Sequence, residues 1–261
     1  MENILRNIKV NGIAKEEGLL NTLDIEKATK LIKSIRGAGY SGDNGLSINL
    51  KSLLVKLVKL DFGKISASIY FLQLAKKLEL AKIAGKILES NVKLYHMDCY
   101  CTKKSDQQLL DWHLDHSVSE IMNPEKRAIR FIFYLTDTSS DNGCLGYIPK
   151  SNLISYALKK GIFEKVLKHT PHKPLVDFRK VIQIKENYQY IKNLIGEGVI
   201  KEFLKNTDFA EKENFIENRF DHAVKSGGAL VFDELGVHSA QKTSLGERII
   251  FRYFYIKSKL Q

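Results

Sequence analysis

The sequence contains little cysteine and proline and has no long hydrophobic run. Its three cysteines, Cys99, Cys101 and Cys144, supply neither a disulfide framework nor the paired CxxC pattern of a zinc site. No run approaches the length of about eighteen apolar residues that a membrane-spanning helix needs. The first residues, MENILRNIKVNG, lack the apolar stretch of a signal peptide. These absences predict a cytoplasmic protein without disulfides or a membrane segment.

The chain carries excess positive charge, with 41 lysine and arginine residues against 30 aspartate and glutamate residues. A basic surface can attract nucleic acid, an anionic membrane, or a phosphorylated or carboxylated substrate. The lysines are spread along the chain and form no single block, which favours a plain solvated surface; examples are Lys51, Lys56, Lys59, Lys76, Lys77, Lys159 and Lys160. We expect a small-molecule or carrier-tethered substrate and no nucleic-acid or membrane partner. The positive charge is compatible with an anionic substrate.

The first ninety residues have helical patterns. In LDIEKATKLIKSI the apolar residues follow one helix face, and Asp24 is placed to cap its start. A second helical pattern follows at residues 50–58, and a third, apolar over most of its circumference, extends from Ile65 to Leu88. We expect these helices to support a sheet.

After Ser90 the pattern changes to short segments rich in β-branched and aromatic residues: NVKLYHMDCYC, AIRFIFYLTD, GALVFDEL and RIIFRYFYIK. This composition predicts strands. Residues 153–225 are again helical and charged, with too much pattern for one loop. The expected organisation is one domain over 1–261, with supporting helices in 1–90, a β core in 91–257, and a helical insertion over 153–225 that covers a site.

The segment QLLDWHLDHSV, residues 108–118, places two histidines and two aspartates around the only tryptophan. In a strand, residues two apart share a face, so His113 and Asp115 can approach one ion from backbone positions about 6.7 Å apart. Asp111 shares that face, whereas His116 points to the other, with Trp112. A mixed histidine and carboxylate pair suits iron or manganese better than a thiolate site would.

Near the C-terminus, GGALVFDELGVHSAQKTSLGERIIFRYFY predicts a strand, then His238, a polar loop, and Arg248 at the start of another strand. A His-x-Asp pair, a distant histidine and an arginine about ten residues beyond it form the arrangement of iron dioxygenases with two histidines and one carboxylate. Three protein ligands on one face of an octahedron leave three positions for a bidentate co-substrate and oxygen. A guanidinium is suited to the far carboxylate of 2-oxoglutarate.

The segment from about Asn91 to the C-terminus resembles the phytanoyl-CoA dioxygenase family of iron(II)/2-oxoglutarate oxygenases. The resemblance rests on DWHLDH, on LTDTSSDNGCLGYIP and on GGALVFDELGVHSAQKTSLGER, and LDIEKATKLIKSIRGAGY is similar to the first helix of the family. It implies a mainly β fold, a double-stranded β-helix (jelly-roll) core with N-terminal helices and a helical insertion. It also implies hydroxylation of a C–H bond with iron(II), 2-oxoglutarate and O2, releasing succinate and CO2.

Carried over to this chain, the resemblance makes His113, Asp115 and His238 the iron ligands and Arg248 the anchor of 2-oxoglutarate. Arg252, on the same strand face, is an alternative anchor. Asp111 and His116 are then secondary or structural, and Asn142-Gly143 is a tight turn.

The chain departs from the family pattern at two places. PKSN, residues 149–152, stands where the family commonly has Pro-Gly-Ser-His, and Ala240 stands where relatives often place a serine that contacts 2-oxoglutarate. Family halogenases replace the ligand aspartate with a small residue. Because Asp115 is present, hydroxylation is the better prediction.

Several alternatives stay open. A non-oxidative cupin-like metal enzyme would use the same ligands without Arg248, and a non-catalytic binding module would need neither. Asp221-His222 is a weaker source of a third ligand because no arginine follows at the right spacing. Cys99 and Cys101 are expected in the core, on the strand face opposite to His96. His169 and His172 are expected in a solvated loop, with contact to an anionic substrate as the alternative.

Overall fold

The computed structural model describes residues 2–35, 62–115, 127–212 and 218–258. In its N-terminal part, helices α1 (Glu2–Asn11), α2 (Thr22–Ser34), α3 (Phe62–Lys77) and α4 (Leu80–Leu88) pack against one another and against a sheet. The helix predicted over 50–58 lies outside the described residues. The single helix predicted from Ile65 to Leu88 is two helices, because the chain takes a left-handed conformation at Glu79 (φ 51°).

The start of α2 also differs from the prediction. The cap is Asn21, whose side chain accepts a hydrogen bond from the backbone N–H of Asp24 at 2.8 Å. Asp24 lies in the first helical turn, where its negative charge interacts favourably with the helix dipole. Sequence alone did not distinguish these two positions, since both residues are common at helix starts.

Nine named strands form two antiparallel sheets among the described residues. The strands are β1 (Ile13–Glu16), β2 (Val92–Thr102), β3 (Leu110–His113), β4 (Ala128–Tyr134), β5 (Leu145–Tyr147), β6 (Asp221–His222), β7 (Ala229–Asp233), β8 (His238–Ala240) and β9 (Arg248–Lys257). The larger sheet has the order β1-β7-β4-β9-β2 and the smaller one β3-β8-β5-β6. This is the predicted jelly-roll core. The edge strand β1 was not predicted, because IAKE is short and lies between helices.

The central strands β4 and β7 of the larger sheet are buried on both faces. Alternate residues of β4 and β9, such as Phe131, Phe133 and Phe251, pack on the N-terminal helices, with the Phe133 and Phe251 rings stacked at 4.9 Å between centroids. The other face, which includes Ile132 and Ile250, encloses the space between the two sheets. Two-sided burial explains why these strands have nearly continuous hydrophobic sequences.

A group of helices covers the outer face of the smaller sheet: α5 (Ser151–Phe163), α6 (Leu175–Gln183), α7 (Lys185–Ile195) and α8 (Glu197–Asn206), followed by a short 3₁₀ helix (Asp208–Glu211). Their apolar sides form one cluster with Leu114, Val237 and Trp112. Trp112 packs against Phe209, with ring centroids 5.8 Å apart. These helices begin two residues before the predicted insertion, and the single-domain division of the chain stays a prediction. No helix in the described ranges is long and apolar enough to cross a membrane.

The turn between β7 and β8 has no room for a side chain at Gly236. A Cβ added there would overlap the Tyr147 hydroxyl oxygen, and the fully buried Tyr147 donates a hydrogen bond to the Asp233 carbonyl at 3.1 Å. We expect Gly236→Ala to lower the free energy of unfolding by about 1–3 kcal/mol, because the ring cannot move away without breaking this packing. Urea unfolding measures the change.

Gly198→Ala is the matched control. Gly198 lies exposed in α8, with nothing within 4 Å of an added Cβ, so we expect a gain of about 0.5 kcal/mol from higher helix propensity. A Gly236→Ala protein as stable as the wild type would show that the turn adapts more freely than its packing indicates.

Candidate metal centre

Strand pairing brings the two histidines of the sequence motif together. β3 and β8 are antiparallel neighbours in which His113 lies directly opposite His238, and the ring centroids are 4.6 Å apart. Asp115 lies just after β3; its Oδ1 is 3.3 Å from His113 Nε2, and its Oδ2 is 3.5 Å from His238 Nε2. One ligand atom from each residue lies within 4.8 Å of the other two. These three side chains could therefore hold one metal ion.

Backbone carbonyls fix the orientation of both imidazoles. The Nδ1 of His113 lies 2.6 Å from the Asp111 carbonyl, and the Nδ1 of His238 lies 3.0 Å from the Gly236 carbonyl. Since a carbonyl can only accept, each Nδ1 carries the proton and each Nε2 keeps a lone pair, as metal-bound histidines do. His238 is 2% exposed, and its Nε2 has no hydrogen-bond partner within the described part of the chain. Burying such an atom is costly unless something binds it.

Arg130 holds the carboxylate of the site. Its Nη2 donates to Asp115 Oδ2, and its Nε donates to Glu234 Oε1 at 2.6 Å. The guanidinium lies 4.1 Å from the centroid of the Phe254 ring. Burial opposes ionisation of Asp115, but the adjacent Arg130 guanidinium holds its pKa well below the usual range. Asp115 is therefore an anion, the state in which a carboxylate binds a metal.

The remaining residues of the motif are placed differently. The Asp111 side chain is exposed, and the residue takes part through its backbone carbonyl. His116 lies outside the described residues.

The two candidate arginines of β9 differ in their partners. Arg252 donates from Nε and Nη2 to both oxygens of Asp98, at 2.7 and 2.6 Å. Arg248 is 6% exposed and has no ion pair, and its Nε lacks a hydrogen-bond partner in the part of the chain that the structure describes. Burial lowers the pKa of Arg248 and raises that of the adjacent Tyr134 to about 12. A buried guanidinium without a counter-ion is suited to a carboxylate supplied from outside.

A glycine turn lies against Arg248. Gly143 has a positive φ of 67°, and a Cβ at this position would overlap Cδ of Arg248. Its N–H donates to the Lys242 carbonyl at 2.6 Å. The Asn142-Gly143 pair thus forms the predicted turn, and the missing side chain leaves room for Arg248.

Other sequence candidates lie away from the cluster. Cys99 and Cys101 are buried in the core between the larger sheet and the N-terminal helices, as expected, and His96 lies 3.1 Å from Asp98 on the other strand face. Asp221 accepts a hydrogen bond from Gln241 at 2.7 Å, and His222, next to it in β6, is absent from the three-residue cluster. His169 is exposed, as predicted for a solvated loop.

Two residues that were predicted to be solvated are buried, and two further residues near the site were not predicted at all. Lys159 is 2% exposed and His172 is 1% exposed, so neither belongs to a solvated surface. Tertiary packing buries both, and local charge gave no sign of it. Arg130 and Glu234 were not singled out; the available signal was a charged residue inside or beside an apolar strand, in AIRFIFY and GALVFDEL.

Comparison with known proteins agrees with this geometry. The sequence model of the phytanoyl-CoA dioxygenase (PhyH) family matches residues 58–250, most of the chain. The chain belongs to the phytanoyl-CoA dioxygenase family. A search of curated protein sequences gave no significant match. The family assignment and the jelly roll confirm the resemblance noted in the sequence.

Solved structures with the same fold include proteins that bind 2-oxoglutarate (alpha ketoglutarate) or depend on it. HygX from Streptomyces hygroscopicus, with nickel and 2-oxoglutarate bound, has 16% identity and a TM-score of 0.58, covering 100% of this chain and 88% of HygX. The epimerase SnoN, in complex with Fe3+, alpha ketoglutarate and nogalamycin RO, has 12% identity and a TM-score of 0.57, with 98% and 83% covered. The carbocyclase SnoK has 12% identity and a TM-score of 0.58, with 98% and 84% covered. At these identities the likeness shows the shared fold.

Because Asp98 pairs with Arg252, we expect removal of the Asp98 carboxylate to cause a large loss of stability. Asp98→Ala leaves a buried guanidinium without its anion, and we expect the free energy of unfolding to fall by about 3–5 kcal/mol. Although burial opposes ionisation, His96 and Arg252 lower the pKa of Asp98. The contribution of the ionised Asp98 carboxylate to the free energy of unfolding is therefore fully present above the pKa that this carboxyl has in the unfolded chain. It is lost as the pH falls through the pKa of Asp98 in the folded protein.

Urea unfolding at several pH values measures this contribution. Asp141→Ala is the control, since the Asp141–Lys242 pair is exposed and its loss is expected to cost within about 0.5 kcal/mol. An equally small cost for Asp98→Ala would mean that Arg252 finds another anion, and the reason for preferring Arg248 would weaken.

Proposed function

We propose that His113, Asp115 and His238 bind iron(II), and that the protein is an iron(II)/2-oxoglutarate-dependent dioxygenase. The observation that carries the proposal is the convergence of three ligand atoms within 4.8 Å of one another, in a chain of this family. The donor set suits the metal, because two imidazoles and one carboxylate with open positions are typical of non-haem iron(II) oxygenases. The HygX structure with nickel and 2-oxoglutarate bound supports the cofactor assignment.

Arg248 is the proposed anchor of 2-oxoglutarate. Its guanidinium is buried and has no anion among the described residues, whereas that of Arg252 forms a bidentate ion pair with Asp98. A guanidinium can bind the far carboxylate of 2-oxoglutarate through two parallel hydrogen bonds. Ala240, where relatives often carry a serine, offers no hydroxyl for a second contact. We therefore expect Arg248 to provide most of the specificity for the co-substrate.

The surrounding side chains would keep the ligands in place and the site dry. Arg130 fixes Asp115 in one orientation through a hydrogen bond, and the backbone carbonyls hold both histidines in the tautomer that binds a metal. The Phe232 ring lies 5.4 Å from the His238 ring and excludes water from one side. When bound, iron(II) with 2-oxoglutarate supplies oxygen activation and an oxidant for a substrate C–H bond, with release of succinate and CO2.

Hydroxylation of a small or carrier-tethered metabolite is the reaction we propose. The ligand carboxylate of Asp115 is present, which argues against halogenation. SnoN and SnoK, an epimerase and a carbocyclase, share this fold, so the reaction type depends on how the substrate is placed.

A non-oxidative metal enzyme is the competing reading. It would have no use for a buried, uncompensated Arg248, whose burial costs stability. A non-catalytic binding module would likewise gain nothing from the unpartnered Nε2 of His238.

Anaerobic spectroscopy tests the cofactor assignment. Iron(II) and 2-oxoglutarate added to the purified protein without oxygen are expected to give the weak visible charge-transfer band of their chelate. His113→Ala should remove the band. Arg248→Ala should raise the 2-oxoglutarate concentration needed for half-saturation by about ten- to a hundredfold, the effect of losing a hydrogen-bonded ion pair.

His222→Ala is the control, because His222 is a half-buried histidine whose Nε2 has no hydrogen-bond partner among the described residues but which lies outside the cluster. It should keep the band. Absence of a band from folded wild-type protein with metal bound would contradict the oxygenase proposal and favour a non-oxidative metal enzyme.

Arg130 is expected to control metal affinity. Arg130→Met removes the hydrogen bond that orients Asp115, and loss of such a contact typically weakens metal binding by about 10–100-fold. Competition with a fluorescent chelator measures the affinity. Arg219→Met, at an exposed position with the same change of charge, should leave it unchanged. Equal affinities in the two variants would show that Asp115 needs no support from Arg130.

A further inference from the structure

Helix α5 carries a row of buried polar residues on one face. Asn152, Ser155 and Lys159 are spaced i, i+3 and i+7, which puts them on one helix face, and they are 4%, 0% and 2% exposed. The apolar side of the helix, including Ile154 and Leu158, packs into the cluster of the insertion helices. Asn152 Oδ1 and Ser155 Oγ have no hydrogen-bond partner among the residues that the structure describes. A buried polar row with unsatisfied atoms is costly unless something binds there.

Lys159 is the charged member of this row. It makes no hydrogen bond or ion pair with any described residue, yet the carboxylates of Asp115, Asp233 and Glu234 are close enough to act on it electrostatically. Each of these carboxylates already has an arginine partner. Arg127 binds Asp233, and Arg130 binds Asp115 and Glu234. The ammonium group of Lys159 therefore lies within electrostatic range of the candidate ligand Asp115 and forms no ion pair of its own among the described residues.

Burial dominates the electrostatics of this amine. It lowers the pKa of Lys159 to about 8, although the three carboxylates raise it. The carboxylates of the protein thus do not compensate for the lost hydration of the ammonium group. A buried cation that the fold does not satisfy is a candidate for binding an external anion.

His172 lies in a segment that pairs with the strand carrying His113. Its Nδ1 is 2.7 Å from the Thr170 carbonyl and so carries the proton, while its buried Nε2 has no partner in the described ranges and is left as an acceptor. It is near enough to Lys159 for the two to interact electrostatically. The segment that carries it is joined to the metal-site strand, since the Leu114 N–H donates to the Lys173 carbonyl at 2.9 Å.

We propose that Lys159 and Ser155 bind an anionic oxygen group of the substrate, a carboxylate or a phosphate, and that His172 accepts a hydrogen bond from a hydroxyl of the same molecule. The inference rests on the proposed function, because it treats the space beside His113, Asp115 and His238 as the substrate site. An ammonium and a hydroxyl group both donate to such an anion. The far carboxylate of 2-oxoglutarate is assigned to Arg248, so this anion belongs to the substrate.

A relaxation experiment tests the site with simple probes. The protein is loaded with manganese(II), with and without saturating 2-oxoglutarate, and titrated with inorganic phosphate (31P NMR) or labelled acetate (13C NMR). Paramagnetic broadening reports only probes held near the metal. We expect saturable broadening of at least one probe, an at least tenfold loss of its affinity in Lys159→Met, and wild-type behaviour in Lys160→Met. Lys160 is the neighbouring, partly exposed lysine, paired with Glu164.

The possible outcomes distinguish a phosphorylated from a carboxylated substrate. They also distinguish failure of this inference from failure of the proposed function. Broadening by phosphate alone indicates a phosphorylated substrate, and broadening by acetate alone a carboxylated one. No saturable broadening in the wild type, or equal broadening in Lys159→Met, overturns the inference. Loss of 2-oxoglutarate binding in Lys159→Met also overturns it, since Lys159 would then serve the co-substrate. Wild-type protein that binds manganese but does not bind 2-oxoglutarate contradicts the proposed function. In that case the phosphate and acetate titrations without 2-oxoglutarate still test whether an anion binds at Lys159.

Thermal unfolding provides a second readout. If Lys159 serves mainly as a counter-ion that stabilises the fold, Lys159→Met leaves carboxylates uncompensated and lowers Tm. If it is a ligand-binding residue, its replacement by an apolar side chain leaves Tm unchanged or raises it. A clear fall in Tm of Lys159→Met relative to Lys160→Met contradicts the proposal.

Discussion

The antiparallel pairing of β3 with β8 is the constraint on which the candidate site depends. It sets His113 opposite His238, and β5 holds β8 from its other side, with Tyr147 opposite His238. Because side chains alternate along a strand, a slip of one residue in either pair would turn one imidazole to the other sheet face. The helices α5–α8 that cover this small sheet fix its register by packing on Trp112 and Leu114. The insertion thus shapes the metal centre as well as covering it.

Buried charge is distributed unequally around the site, and the inequality is informative about function. Asp98 with Arg252, Asp233 with Arg127, and Arg130 with Asp115 and Glu234 are compensated groups. Such groups are strongly destabilising only when one partner is lost. Arg248 and Lys159 are buried without an anion of their own among the described residues. In the proposed complex, 2-oxoglutarate would supply an anion to Arg248, and an anionic substrate would supply one to Lys159. We therefore infer that Arg248 and Lys159 bind ligands and are not structural residues.

The sequence predicted much of the fold and the chemistry of the site. Segments rich in β-branched and aromatic residues located β2, β4, β7 and β9, and the spacing of His113, Asp115, His238 and Arg248 pointed to a metal and a co-substrate. These features are local, or depend on residue types that few other functions need.

What the sequence did not predict depends on tertiary contacts. The edge strand β1 pairs with β7, more than 200 residues away, through a register such as Ile13 opposite Phe232. Lys159 and Lys160 look alike in sequence, yet one is buried beside carboxylates and the other is paired with Glu164 at the helix surface. The choice between Arg248 and Arg252 likewise needed the position of Asp98 on a strand distant in sequence.

The ligand set of the bound iron is the central claim, and pulsed EPR of the nitric oxide complex of the iron(II) protein tests it most directly. This form is paramagnetic, and its electron spin-echo modulation counts coordinated imidazole nitrogens. We expect modulation from two histidines in the wild type and from one in His238→Ala. Modulation from one or three histidines in the wild type, or an unchanged signal in His238→Ala, would contradict it.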